Sequence, residues 1–223
     1  MAMENYLLSI FQLGEQGLRV SLTSISEKLK RLPEGHQLGT SLPSVGGMVR
    51  RMVREGLVEI TVHKDVLLTS KGRKSAHNMV RRHRLAERMV VDLLGVELER
   101  AHVEAHRLEH AISPELEAKI VERLGNPKTC PFGHPIPGSG YVLPQNSCRL
   151  DEAPTGQVVV VDRIPEDDQP LLRYLVNNGI MPTSEIQVVE AAPYRGVITL
   201  RSNGNHVVLA YEVASRIRVC PSG

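Results

Sequence analysis

The 223-residue chain is long for one domain and suits two or three small ones; its three cysteines (Cys130, Cys148, Cys220), widely spaced and without a C-x-x-C pair, argue against a disulfide framework and for a reducing, cytoplasmic setting. No apolar run approaches the roughly 20 residues of a membrane span, and residues 1–5 lack the basic and apolar regions of a signal peptide, so neither is expected. The net charge of +2 hides an asymmetry: residues 1–88 carry 15 Lys and Arg against 8 Asp and Glu, whereas residues 89–150 (6 against 8) and 151–223 (6 against 9) are acidic, which suggests a footprint for a polyanion in the first third.

Residues 3–16 place Tyr6, Leu7, Ile10, Phe11 and Leu13 at helical spacing, ahead of Gly17. A short second helix follows, capped near Thr23 or Ser24, with Ile25, Leu29 and Leu32 inward. Residues 33–39 read as a loop. A third helix opens at Ser41 or Leu42, with Pro43 in the first turn, where its missing N–H costs nothing. Its apolar side holds Val45, Met48, Val49, Met52 and Val53, with Arg50, Arg51 and Arg54 elsewhere. Residues 57–62 and 66–69, joined by His63-Lys64-Asp65, read as a β-hairpin. Three helices and a hairpin are the order of a winged helix-turn-helix, whose third helix enters the major groove while the hairpin flanks the backbone.

Residues 70–94, 97–112 and 114–124 are three further helices, closed by Gly95 after the first and Gly125 after the last. Met79, Leu85, Met89, Val90, Leu93 and Leu94 make a longer apolar face than one wing can cover, so a second subunit is expected there. Residues 126–154 hold six of the fourteen prolines and read as a linker. From 155 to 220 the period changes: strands at 157–161, 185–190, 197–201, 206–210 and 216–220, a helix at 167–178, and a tight Asn203-Gly204 turn describe a small half-open β-barrel.

Four of the nine histidines fall between residues 83 and 110. At roughly 100° per helical residue, His102, His106, Glu109 and His110 project within an arc of about 100°. His83 and Glu87 share a face of the preceding helix at i,i+4. Imidazoles and carboxylates facing one another suit Mn, Fe, Co, Ni or Zn. The competing readings are a solvated face paired with Arg84, Arg88 and Arg107, and an inverted zinc-peptidase motif, His106-Arg107-Leu108-Glu109-His110.

Glu4-Asn5-Tyr6-Leu7, the block His83 to Arg88, the segment His102 to His110, and Pro131-Phe132-Gly133-His134-Pro135-Ile136-Pro137-Gly138 resemble the diphtheria-toxin-repressor family of metalloregulators. The resemblance implies a multidomain, mainly α protein: a winged-helix DNA-binding domain (1–70), a helical metal-binding and dimerisation domain (71–130), a Pro-rich linker (131–154) and an SH3-like domain similar to the ferrous-transport A protein (155–223). It implies a primary metal site at Asn5, His106, Glu109 and His110. It also implies an ancillary site at His83, Glu87 and His102, completed by Glu166 and Gln169, with Asp168 as an alternative. Asn5 and His106 stand where iron-responsive members carry Met and Cys and manganese-responsive ones carboxylates. The expected cofactor is Mn(II) or Fe(II), with manganese ahead. The 30–40 segment exceeds the family's turn, and Gly47 replaces a base-reading glutamine.

The expected function is repression, not catalysis, by a homodimer on a palindromic operator, without membrane association. Arg50, Arg51, Arg54 and Lys64 would contact phosphates, and Ser41, Pro43 and Ser44 would lie nearest the base edges. The alternative regulator senses no metal and uses the histidines structurally.

Overall fold

The computed structural model describes residues 2–32 and 39–222, so most of the loop expected at 33–39 lies outside the described residues. The chain forms two compact units, Met1–Met89 with Val103–Gly125, and Val90–His102 with Asn126–Gly223.

The first unit begins with α1 (Ala2–Glu15), α2 (Leu22–Lys30) and α3 (Leu42–Arg54), then the hairpin β1 (Val58–Ile60) and β2 (Val66–Leu68), and α4 (Ser70–Arg88). The hairpin is antiparallel, with Val58 opposite Leu68 and Ile60 opposite Val66. Its strands are shorter than the alternation in the sequence suggests. Tyr6, Leu7, Ile10 and Leu13 of α1 pack with Ile25 and Leu29 of α2 and with Val45, Val49 and Met52 of α3. Each such side chain contributes about 1.5–3 kcal/mol by leaving water. Val53, expected on this face, is exposed instead.

Capping hydroxyls set the helix starts. Ser41 and Thr69 begin α3 and α4, each accepting from a backbone N–H three residues on. For α2 the cap is Ser21, not Thr23 or Ser24. Ser24 is its partner in a reciprocal capping box: Ser21 Oγ accepts from the Ser24 N–H while Ser24 Oγ accepts from the Ser21 N–H. Gly72 answers to close approach, since a Cβ there would lie 1.8 Å from the Leu57 carbonyl oxygen.

The helix expected to run to residue 94 changes after Arg88 into a π-turn, Met89–Leu93. Next comes α5 (Leu98–Leu108), tightening into a 3-10 turn at Glu109–Ala111, and then α6 (Pro114–Arg123), capped by Ser113. Leu93 and Leu94 are exposed.

In the second unit, β3 (Cys148–Arg149), β4 (Val158–Arg163), β5 (Glu185–Ala192), β6 (Val197–Ser202), β7 (Asn205–Ala210) and β8 (Arg218–Pro221) form an antiparallel sheet in the order β3-β8-β4-β5-β6-β7. Helix α7 (Gln169–Asn177) follows β4. The two-residue turn between β6 and β7 has positive φ at both Asn203 and Gly204, as a type I′ hairpin requires. Within the 131–154 segment, Phe132 and Ile136 are buried and β3 pairs with β8. Gly133 lies against the Asp162 carbonyl, where a Cβ would approach to 1.9 Å, and the Ile164 N–H donates to the Phe132 carbonyl at 3.0 Å. No helix among the described residues is long and apolar enough to cross a membrane.

Candidate metal centre

In the first unit, α4, α5 and the 3-10 turn converge on Glu109. Its Oε2 lies 2.5 Å from His83 Nδ1, and its Oε1 lies 3.1 Å from His106 Nδ1 and 3.4 Å from His110 Nε2. His83 also reaches Glu87, with Nε2 2.9 Å from Oε1, and its ring lies 4.5 Å from that of His106. One carboxylate thus touches three imidazoles, and the side chains of His83, Glu87, His106 and Glu109 are fully buried. Asn5, on the first turn of α1, is buried as well. Its neighbour Glu4 pairs with His110 Nδ1 at 3.0 Å.

Charge is tolerated here because it is paired. Burial by itself pulls His83 toward the neutral imidazole. The Glu87 and Glu109 carboxylates outweigh that and push its pKa up to about 10. Burial likewise raises Glu109, but His83 and His106 outweigh it and hold Glu109 down at about 2. Glu109 is therefore ionised and the His83 imidazolium supplies compensating charge, a role a divalent cation can take over. Buried nitrogen and oxygen donors, with no thiolate among these side chains, fit a borderline or hard transition-metal ion. The inverted peptidase motif would need Glu109 as a general base beside an open, watered metal position. Both oxygens of Glu109 are engaged and the residue is buried.

His83, expected in the ancillary ligand set, lies 2.5 Å from Glu109, expected in the primary set. In the second unit, His102 and Glu166 offer ligand atoms within 4.8 Å of each other. Gln169 donates through its amide to the Glu99 carbonyl at 3.0 Å. Asp168 caps α7, accepting from the Leu171 N–H at 3.1 Å. Sequence reasoning missed His134, whose Nε2 lies 3.1 Å from the Ile164 carbonyl and 3.4 Å from Glu166 Oε2. Its place in the Pro131–Gly138 motif was the available signal. It also missed Glu4 and Arg82, which pair at 2.9 Å beside the centre.

Ser41, Pro43, Ser44, Arg50, Arg51 and Arg54 are exposed on or at the start of α3, and Lys64 is exposed at the wing tip. Ser41 Oγ donates to Ser44 Oγ at 3.0 Å, and Arg51 pairs with Glu55 at 3.0 Å. The wing tip is held by Arg19, which reaches Asp65 and the His63 carbonyl, each at 2.5 Å.

Residues 69–138 match the family model described as iron dependent repressor, metal binding and dimerisation domain, and residues 148–221 match the FeoA domain. The iron-dependent repressor IdeR of Mycobacterium leprae is 35% identical, the match covering 97% of this chain and 95% of that protein. The diphtheria toxin repressor of Corynebacterium diphtheriae is 33% identical over 97% of this chain and 95% of its own. A solved structure of a manganese-dependent transcriptional repressor in complex with manganese superposes with a TM-score of 0.86 at 33% identity, covering 99% of this chain and 100% of that one.

Proposed function

The chain belongs to the diphtheria-toxin-repressor family of iron- and manganese-dependent transcriptional repressors, and from that membership we propose that it is a cytoplasmic homodimeric repressor whose grip on a palindromic operator is switched on by a divalent transition metal. The observation that carries the reading is Glu109, a buried carboxylate held by three imidazoles from α4, α5 and the 3-10 turn, next to the first turn of the DNA-binding domain.

Asn5, His106, Glu109 and His110 are the activating ligands. A bound divalent cation supplies charge neutralisation and a cross-link between donors of separate elements. Asn5 rides on α1, and α1 shares one core with α2 and α3. Fixing the first turn of α1 therefore restricts the recognition helix and favours the arrangement in which two such helices match two half-sites. Metal and DNA then strengthen one another's binding by the same factor. His83, Glu87, His102, Glu166 and Gln169 form the ancillary set. Arg50, Arg51, Arg54 and Lys64 contact phosphates; Ser41, Pro43 and Ser44 approach base edges.

The donor set lacks the sulfur that thiophilic ions favour, which supports Mn(II) ahead of Fe(II). The test is operator binding of chelated protein titrated with Mn(II) and, anaerobically, with Fe(II). Tight binding should appear only with metal. Equal affinity in chelator would instead make this a winged-helix regulator with structural histidines.

A further inference from the structure

Glu4 belongs to neither ligand set, yet it is built into the centre. Its Oε2 lies 3.0 Å from His110 Nδ1 and its Oε1 lies 2.9 Å from Arg82 Nη2. Arg82 is braced in turn, with Nη2 3.4 Å from Met79 Sδ. The chain Arg82–Glu4–His110 links α4, α1 and the 3-10 turn, and His110 is the most exposed imidazole around Glu109, at 10%.

We infer that Glu4 is a positioning residue for the metal centre: its carboxylate fixes the tautomer and ring orientation of His110. A carboxylate facing Nδ1 requires a proton there. A histidine binds a cation through a nitrogen lone pair, so with Nδ1–H given to Glu4, Nε2 is the nitrogen left to bind. Nε2 is the atom that faces Glu109 Oε1 at 3.4 Å. Metal-binding imidazoles characteristically donate their other N–H to a carboxylate, which sets the tautomer and raises ligand basicity. Glu4 is carried by the helix that carries Asn5. The first turn of α1 therefore holds the centre by two neighbouring residues, one a ligand and one acting through His110.

This inference rests on the metal reading above, and its test separates the two. Mn(II) binding to the full-length, chelator-stripped protein is measured by calorimetry without DNA, for the native chain, Glu4→Ala, Glu4→Gln and Arg82→Ala. Long-range 1H–15N spectra of the imidazoles, on metal-free and Zn(II)-loaded protein, report the His110 tautomer. Glu4→Ala should weaken Mn(II) binding by about 10- to 100-fold, the usual cost of losing an outer carboxylate, and shift His110 away from the Nδ1–H form. Glu4→Gln retains an oxygen that accepts from Nδ1–H, so it should recover most of the affinity and the tautomer. Arg82→Ala should fall between. Native affinity in Glu4→Ala would overturn the inference, as would a loss shared equally by Glu4→Ala and Glu4→Gln with an unchanged tautomer. A native protein that binds neither Mn(II) nor Fe(II) would overturn the metal reading and this inference with it.

Discussion

His83 presents each of its ring nitrogens to a carboxylate. On α4 it shares a face with Glu87, as i,i+4 spacing requires, and the pair is present at 2.9 Å. Its second nitrogen reaches Glu109 at 2.5 Å, a contact that no spacing in the sequence reveals. The backbone tightens from the α-helix to a 3-10 turn at Glu109. Residue types and periodicity named the members of the cluster. Which atoms meet depends on the packing of α4 against that turn. An ordering of two variants follows. His106→Ala should abolish metal-dependent operator binding. His83→Ala should weaken it by about 1–3 kcal/mol, typical of allosteric coupling. In chelator, His83→Ala should also lose about 3 kcal/mol of folding stability, because Glu87 and Glu109 lose the buried partner that faces both of them. Operator shifts and denaturant melts check both parts. Equal inactivity of the two variants would favour one coupled binuclear centre over two sites with different tasks.

At the scale of elements, the start of α3 was legible: Ser41, one of the two residues expected at its cap, does cap it. The start of α2 was less so, because Ser21, Thr23 and Ser24 all offer a hydroxyl and only tertiary placement decides which of them caps. Helix α3 illustrates division of labour within one element: Val45, Val49 and Met52 face the core while Arg50, Arg51 and Arg54 are exposed. If those arginines contact phosphates, replacing Arg50 and Arg51 by Ala should weaken operator and random DNA alike. It should also lower the log–log salt slope by about 0.9 per lost contact. The slope is read from binding isotherms at several salt concentrations. No change would mean that these side chains face solvent in the complex, with Arg51 remaining on Glu55.

For the whole molecule, the order of elements and the change of period near residue 155 were enough to anticipate a winged helix, a helical body and a small β domain. Composition was a poorer guide to residues 131–154. Proline and glycine density there suggested a linker, yet Phe132 and Ile136 are buried, and Gly133 permits a backbone approach that any side chain would block. Proline-rich sequence lacks periodicity whether or not it packs, so its packing is invisible to pattern reading. The cut between the compact units falls after His102 in α5, leaving His102 on one side and His106 on the other. That single helix carries His102 of the expected ancillary set and His106 of the expected primary set.

The burial of Glu109, His83 and His106 also sets a clock. An ion in solvent cannot touch fully buried ligands, so uptake must wait for a local opening of the packed cluster, such as a transient release of the first turn of α1. The rate of Mn(II) capture should therefore rise with concentration only at first and then level off at the opening rate. Stopped-flow quenching of a competing fluorescent chelator's signal would follow it. A rate that stays proportional to metal concentration throughout would mean that the ligands are reached without any such opening. Release must use the same opening, so a repressor loaded during plenty would stay on its operator for some time after the metal outside has gone. Its responses to excess and to scarcity would both trail the metal outside, and the delay would be written in the packing around one carboxylate.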